Sequence, residues 1–533
     1  MSIRSEPAVA RTPSMSLLQA AAAAVARSHG VAEVADLADQ PRRRLLKGAA
    51  GFGAAAALGL RPSAGAAAGT PAGTGARVAV VGAGLAGLTA AYRLKQAGFD
   101  PVVFEGNTRL GGRCYTARDA FRGGQIAEHG GEFIDTDHYP IRQLAKDLGL
   151  TLYDVLAAQP PGAIPVYRFN GERYTLADAT RDFGPLYQSL KGQSAAIGSG
   201  YNYRYSTAAA KRFDAMTLRQ WIAATVPGGL TSKLGQLIDN AFTEENGADT
   251  DRQSALNAIG TLADDPRDGF DLYYTDSDQR FRVLGGNDQI PTLLGRALGA
   301  AVRTGTALTA VRQRGDGKVW LTLARDGAVT DAAFDRIVLA LPFSVMRAAV
   351  DLSGAGFSDL KRRSIETLGM GASVKFQLQF ERRLWNDLGC NGEIRRVSPA
   401  FQTTWDATRG QGGQQGVMNF WSGGSQAAFD AGVPDRHALA RLCLAGADEI
   451  LPGLPRLWNG LSTLDVWSRN PWSLGSYSFY PPGYQTSLLG VEGIPEGNVF
   501  FAGEHTWAQA GYLNAGVASG DRAANQIRAS LAA

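Results

Sequence analysis

The chain of 533 residues is poor in what marks several protein classes. Its three cysteines, Cys114, Cys390 and Cys443, are odd in number and widely spaced. That excludes a disulfide framework or a cysteine zinc site and leaves buried or incidental thiols. Five histidines with no clustered ligand spacing leave no metal centre to expect. The net charge of +4 is confined to the first 66 residues, where eight basic residues face four acidic ones; beyond Ala66 the chain balances at 45 of each. No basic footprint for nucleic acid or an anionic membrane follows. Long apolar runs are also missing. "GAAGFGAAAALGL", from Gly48, is too short and too rich in Gly and Ala to be a stable membrane span. It follows Pro41-Arg42-Arg43-Arg44-Leu45-Leu46-Lys47, the order of a twin-arginine (Tat) export signal, and precedes small residues for cleavage at Ser63-Ala64-Gly65-Ala66. Residues 1–70 are therefore expected to be a leader, with the mature protein periplasmic or secreted.

Glycine is abundant, with 66 residues. In "ARVAVVGAGLAGLTAAYRLKQAG", from Ala76, a β-branched run turns at a glycine-rich corner into a helical pattern, which is the context a GxGxxG motif requires. Gly82 permits the tight turn, Gly84 lets a pyrophosphate approach the backbone, and Gly87 lets helix and strand pack closely. The helix N-terminus offers unpaired N–H groups to the phosphates. A second strand, 101–104, ends in Glu105, placed to accept from both ribose hydroxyls of an adenosine. Next come Leu110-Gly111-Gly112-Arg113, which can set a guanidinium against the pyrophosphate, and Gly130-Gly131, where backbone must approach something flat. Dinucleotide binding follows from strand, helix and acid together.

With these motifs, Lys375 on a strand, "PWSLGSY" at 471–477 and "FFAGEHTWAQAGYLNAGVASG" from Phe500, the chain resembles the flavin-containing amine oxidase family from about Ala76 to its end. The resemblance implies an FAD oxidoreductase. Lys375 then holds a water near flavin N5 and assists reaction of the reduced flavin with oxygen. Tyr477, from a segment that also holds Trp467, and Tyr512 form two aromatic walls that orient a neutral amine. Leu308 packs on the adenine side. Gly503 gives the ribityl chain room, Glu504 accepts a hydrogen bond from it, and a helix starting near Leu513 points its N-terminus at the flavin pyrimidine. Ser476 stands where some members bind flavin covalently through cysteine, so FAD is expected to be noncovalent. His129 and His505 are read as cofactor contacts or structural groups. No acid–base dyad or nucleophile stands out, as suits a reaction whose hard chemistry the flavin carries.

L-amino acid oxidases of the family usually place Met-Arg where this chain has Glu132-Phe133, so a substrate carboxylate lacks its clamp. An amine without an α-carboxylate is expected, with Glu132, Asp135 and Asp137 adding negative character, or with the two aspartates merely solvated. The L-amino acid oxidase reading and a carotenoid-type desaturase or flavin-dependent mutase remain alternatives. The electron acceptor is O2 or another small molecule; a homodimer is compatible, though the sequence does not name the oligomeric state. The expected fold class is α/β, a Rossmann-like FAD-binding domain interleaved with an α+β substrate-binding domain. FAD-binding parts fall at 76–145, 281–349 and 466–533, a mainly helical substrate lobe at 146–280, and its second part at 350–465.

Overall fold

The computed structural model describes residues 21, 24–25, 75–263, 278–396 and 401–532. The twin-arginine segment and the cleavage site lie outside them. Ala21 and Val25 belong to the expected leader but are buried against Tyr167, Phe169 and the helical core around Trp221. That part of residues 1–70 thus does not stand apart from the folded chain.

The first sheet is parallel and five-stranded, in the order Val499–Phe501, Arg336–Leu339, Val78–Val81, Val102–Phe104 and Val302–Arg303. Val78–Val81, Arg336–Leu339 and Val499–Phe501 are short, largely apolar and almost wholly buried, as parallel strands covered by helices must be. The helix Leu85–Gln96 follows the first strand and lies against the last helix, Leu513–Ala532. Leu88, Ala91 and Leu94 share one core with Val517, Ala524 and Ile527. The closeness depends on small residues: a Cβ on Gly520 would sit 2.4 Å from the Ala86 carbonyl oxygen. The last helix of the chain is thereby fixed to the first helix of the nucleotide motif.

A three-stranded antiparallel sheet, Ala307–Gln313, Val319–Arg325 and Ala328–Phe334, lies beside it. Its first two strands are joined across the Gly-Asp-Gly turn at 315–317.

The second large sheet has seven strands, in the order Trp458–Val466, Ser373–Phe380, Gly416–Gly423, Thr403–Asp406, Cys390–Arg396, Ile164–Phe169 and Glu172–Arg173. Ile164–Phe169 runs parallel to Cys390–Arg396 and joins this sheet from inside the stretch expected to be mainly helical. Pro165 and Arg168 interrupt its apolar pattern, which hides it as a strand. The helices of that stretch do form, including Leu176–Ile197, Leu218–Thr225 and Lys233–Asn246. Thr175 with Asp178 and Thr217 with Gln220 make capping boxes that satisfy the first amides of two of them. Among the described residues no helix is long and apolar enough to cross a membrane. The three cysteines are buried and none forms a disulfide among the described residues.

Candidate active site

One long cleft runs between the two large sheets, lined by Glu105, Thr306 and Leu308 at one end, Gly84, Gly112 and Arg113 in the middle, and Lys375, Trp405, Trp421, Tyr477 and Tyr512 at the other. The remaining expected site residues, except Gly87, also line it: Gly82, Gly130, Gly131, Glu132, Trp467, Gly503, Glu504 and Leu513.

The residues present fit a dinucleotide. Gly84 caps the helix Leu85–Gln96 with no side-chain partner for the first amides, and a Cβ placed on it would meet nothing within 4 Å. The backbone there is open to a ligand. Gly87 serves packing instead, since its Cβ would lie 1.9 Å from the Gly82 carbonyl oxygen. Glu105 accepts from the Ala83 amide at 2.6 Å and the Asn107 amide at 2.8 Å, one on each oxygen. Its carboxylate thus braces the glycine turn from the ribose end. Burial pushes its pKa up despite these bonds.

The structure adds to four expectations in the middle of the cleft. Arg113 does not direct its charge solely to the pyrophosphate: its Nη1 donates to the Ser476 carbonyl at 2.8 Å and to Glu504 at 2.9 Å. Glu504 is not a free acceptor for the ribityl chain. Oε1 takes Arg113 and the Ser478 amide, while Oε2 takes the Ser478 hydroxyl and the Gly511 amide. Burial raises the Glu504 pKa, but the neighbouring guanidinium and the bonds it accepts outweigh that and hold it low. The carboxylate of the GEHT segment at 503–506 is therefore a clasp between three distant stretches. Gly503, at φ +136°, is required by its backbone and by the His505 ring, which its Cβ would meet at 2.5 Å. Gly130 and Gly131 likewise yield to protein atoms, the Arg113 carbonyl and the Leu513 side chain.

At the far end, the strand Ser373–Phe380, which holds Lys375 as expected, alternates polar and apolar side chains, yet all eight residues are buried. Its polar face is not solvated but grips the stretch 122–132. Gln379 exchanges hydrogen bonds with the Arg122 amide and carbonyl, Gln377 donates to the Glu128 carbonyl at 3.0 Å, and Lys375 donates to the Gly130 carbonyl at 3.1 Å. Buried polar groups need such partners, and here the partners are backbone atoms of the segment that passes the site. Lys375 also donates to Glu132 at 2.6 Å, with both side chains almost fully buried. Arg282 meets the other Glu132 oxygen at 2.6 Å, as does the Trp405 indole N–H at 3.1 Å. Burial would raise the Glu132 pKa, but Arg282 and Lys375 lower it more, so it stays ionised. Glu132 is thus the anion that makes two buried cations tolerable.

Tyr477 donates to the Glu244 carbonyl at 3.1 Å, and the Trp421 indole N–H points to the same oxygen at 3.4 Å. The C-terminal end of Lys233–Asn246 therefore supports two aromatic faces of the cavity at once. The His138 ring meets Tyr512 edge-on, centroids 4.9 Å apart. Trp467 donates to the His129 carbonyl, and His129 bonds Asp465 at 2.7 Å. His505 is buried against Phe343. Neither histidine lines the cleft, so both are structural. Asp135 is fully buried rather than solvated.

Sequence reasoning missed Trp405, Trp421, Gln279 and Arg282. Trp421 pairs directly with Lys375 across the sheet. Only the strand register reveals this.

Comparisons with known proteins agree with this geometry. Residues 85–528 match the family model described as flavin containing amine oxidoreductase. An L-amino-acid oxidase of Mus musculus is 27% identical over 482 residues, covering 85% of this chain and 70% of that protein. Amine oxidase [flavin-containing] B of Rattus norvegicus is 24% identical over 463 residues, covering 84% and 85%. Among solved structures, cyclohexylamine oxidase from Brevibacterium oxydans IH-35A superposes with a TM-score of 0.74 at 20% identity, covering 86% of this chain and 100% of that one. Putrescine oxidase bound to putrescine gives 0.69 at 22%, covering 85% and 99%. With the family model spanning most of its length, the chain belongs to the flavin-containing amine oxidoreductases.

Proposed function

We propose that the protein is an oxidase of amines that lack an α-carboxylate and that it holds FAD noncovalently. The observation that carries this reading is the fate of the cations at the aromatic end of the cleft. Lys375 and Arg282 both bind Glu132, so neither of these cations is left unpaired for a substrate carboxylate. Tyr477, Tyr512, Trp405 and Trp421 instead offer flat apolar faces to the body of an amine.

FAD held along this cleft would supply the two-electron acceptor for oxidation of the amine-bearing carbon, with oxygen as final acceptor giving hydrogen peroxide and the imine product hydrolysing to an aldehyde or ketone. The protein supplies placement. The tyrosine pair fixes the amine between two rings, and the aromatic lining excludes water. Lys375 uses two of its three N–H groups on Glu132 and Gly130, leaving one to hold a water or peroxide oxygen. Ser476 hydrogen-bonds Ser373 and the Gly371 carbonyl, which supports a cofactor held without a covalent bond. Burial raises the Cys114 thiol well above its usual pKa, so this cleft-lining cysteine stays protonated and unreactive.

The test is anaerobic mixing of the yellow protein with amines and amino acids. Loss of flavin colour with amines alone is the expected outcome. Turnover of amino acids alone would establish the second reading, L-amino acid oxidation, which the mouse relative favours. Export by the twin-arginine route is part of the proposal and rests on Arg42 to Lys47. Replacing Arg42, Arg43 and Arg44 by lysine should retain the protein in the cytoplasm.

A further inference from the structure

Ile134 and Phe281 exchange backbone hydrogen bonds and bring the stretch after Glu132 alongside residues 278–281. Asp135 sits at this junction with no exposed surface. One of its oxygens accepts the Gln279 backbone amide at 3.0 Å, and the other lies 3.3 Å from His138 Nε2. The His138 Nδ1 accepts the Asp135 amide at 3.0 Å, so its proton is on Nε2, whose 3.3 Å contact with the carboxylate is electrostatic and not a hydrogen bond. Burial and nearby Arg142 lower the His138 pKa to about 3, which keeps the ring neutral. Its edge then meets Tyr512.

Gln279 has two further features. It is a non-glycine residue at φ +48°, a backbone state that costs energy and is retained only where surroundings hold it. It also lines the cleft, and its side-chain Nε2 is buried with no hydrogen-bond partner among the described residues. A buried amide left this way is costly unless a ligand completes it.

We propose that Asp135 is a positioning residue for substrate: one buried carboxylate fixes the Tyr512 wall, through His138, and at the same time holds Gln279 in the strained state that presents its amide to an acceptor oxygen on the substrate. The inference rests on the amine-oxidase reading of the cleft. It adds that two substrate-facing groups from segments more than 200 residues apart share one anchor. It also adds that amines bearing an acceptor oxygen are preferred over those without one.

The experiment uses flavin-loaded full-length protein with Asp135→Asn, Asp135→Ala, His138→Phe, Gln279→Ala and the double variant Asp135→Ala/Gln279→Ala. Melting temperature and flavin content are recorded first. Anaerobic flavin reduction is then followed with phenethylamine, tyramine and L-phenylalanine, and reoxidation by oxygen is measured separately. Asp135→Asn is expected to slow the limiting reduction rate by about tenfold, because the wall shifts, while reoxidation is unchanged. His138→Phe keeps an aromatic edge on Tyr512 but loses its tie to Asp135, so it should slow the limiting reduction rate about as much as Asp135→Asn does. Gln279→Ala should remove a preference for tyramine of about tenfold, and Asp135→Ala should add nothing further to that loss. Equal losses in reduction and reoxidation, additive losses in the double variant, or a flavin-loaded Asp135→Asn protein indistinguishable from wild type in rate and preference would each overturn the proposal. If the wild type is reduced only by L-phenylalanine, the amine reading fails. The same variants then test positioning with that substrate, whose carboxylate supplies the acceptor oxygen.

Discussion

The two ends of the cleft are built from different materials. The nucleotide end is backbone: a glycine turn, open amides at the start of Leu85–Gln96, and one carboxylate braced by two amides. The substrate end is side chain: four aromatic faces and the buried Lys375–Glu132–Arg282 cluster, contributed by segments from 132 to 512. A backbone site is sensitive to a single added carbon, whereas a side-chain site is sensitive to the loss of one partner among several.

The largest effect should come from the backbone end. Gly87→Ala places a methyl 1.9 Å from the Gly82 carbonyl oxygen, so the turn must open. The purified protein should lack its visible flavin absorption. Gly84→Ala sharpens the contrast, because its methyl meets no protein atom. This variant should fold with an unchanged melting temperature yet bind FAD at least about tenfold more weakly in titration of the apoprotein. A wild-type FAD affinity in Gly84→Ala would mean that the pyrophosphate does not approach there.

At the side-chain end, Glu132→Ala leaves two buried cations without their anion. Chemical denaturation should show a loss of about 3–5 kcal/mol, and Glu132→Gln should show a smaller one. Tyr477→Phe removes one hydrogen bond to the Glu244 carbonyl but keeps the ring. About 1 kcal/mol of stability should go, with flavin reduction slowed only slightly.

The smallest effect is a pH dependence. Burial raises the Glu128 pKa to about 7, more than the hydrogen bonds from Asn287 and Thr116 lower it. Because the folded value lies above the unfolded one, the contribution is complete below the ordinary carboxylate range and is lost as pH rises through about 7. Glu128→Gln cannot ionise, so its melting temperature relative to wild type should rise between about pH 5 and about pH 8. A difference that stays constant over that window would exclude the buried-carboxyl account.

The same division governs what could be read in advance. The GxGxxG turn, Glu105 and the strand–helix order are local, and their chemistry follows from chain geometry within some 25 residues, so they are plain in the sequence. Lys375 was legible through its family motif, but the burial of the whole strand was not, because a polar face of Lys, Gln and Gln looks solvated until the segment it grips is known. Ile164–Phe169 stayed hidden because, apart from the two-residue strand Glu172–Arg173, the strand it pairs with lies more than 200 residues away.

The sequence by itself determined the cofactor turn, the aromatic-rich segments and the missing arginine beside Glu132, each a matter of which residue occupies a position in a short motif. Only the tertiary structure decided how the charges are paired: that Glu504 clasps Arg113, that Glu132 is shared by Lys375 and Arg282, and that Asp135 faces Gln279 and His138. The physical reason is that a buried charge is tolerable only with a partner, and the partner is found by folding, across distances along the chain that no local pattern spans.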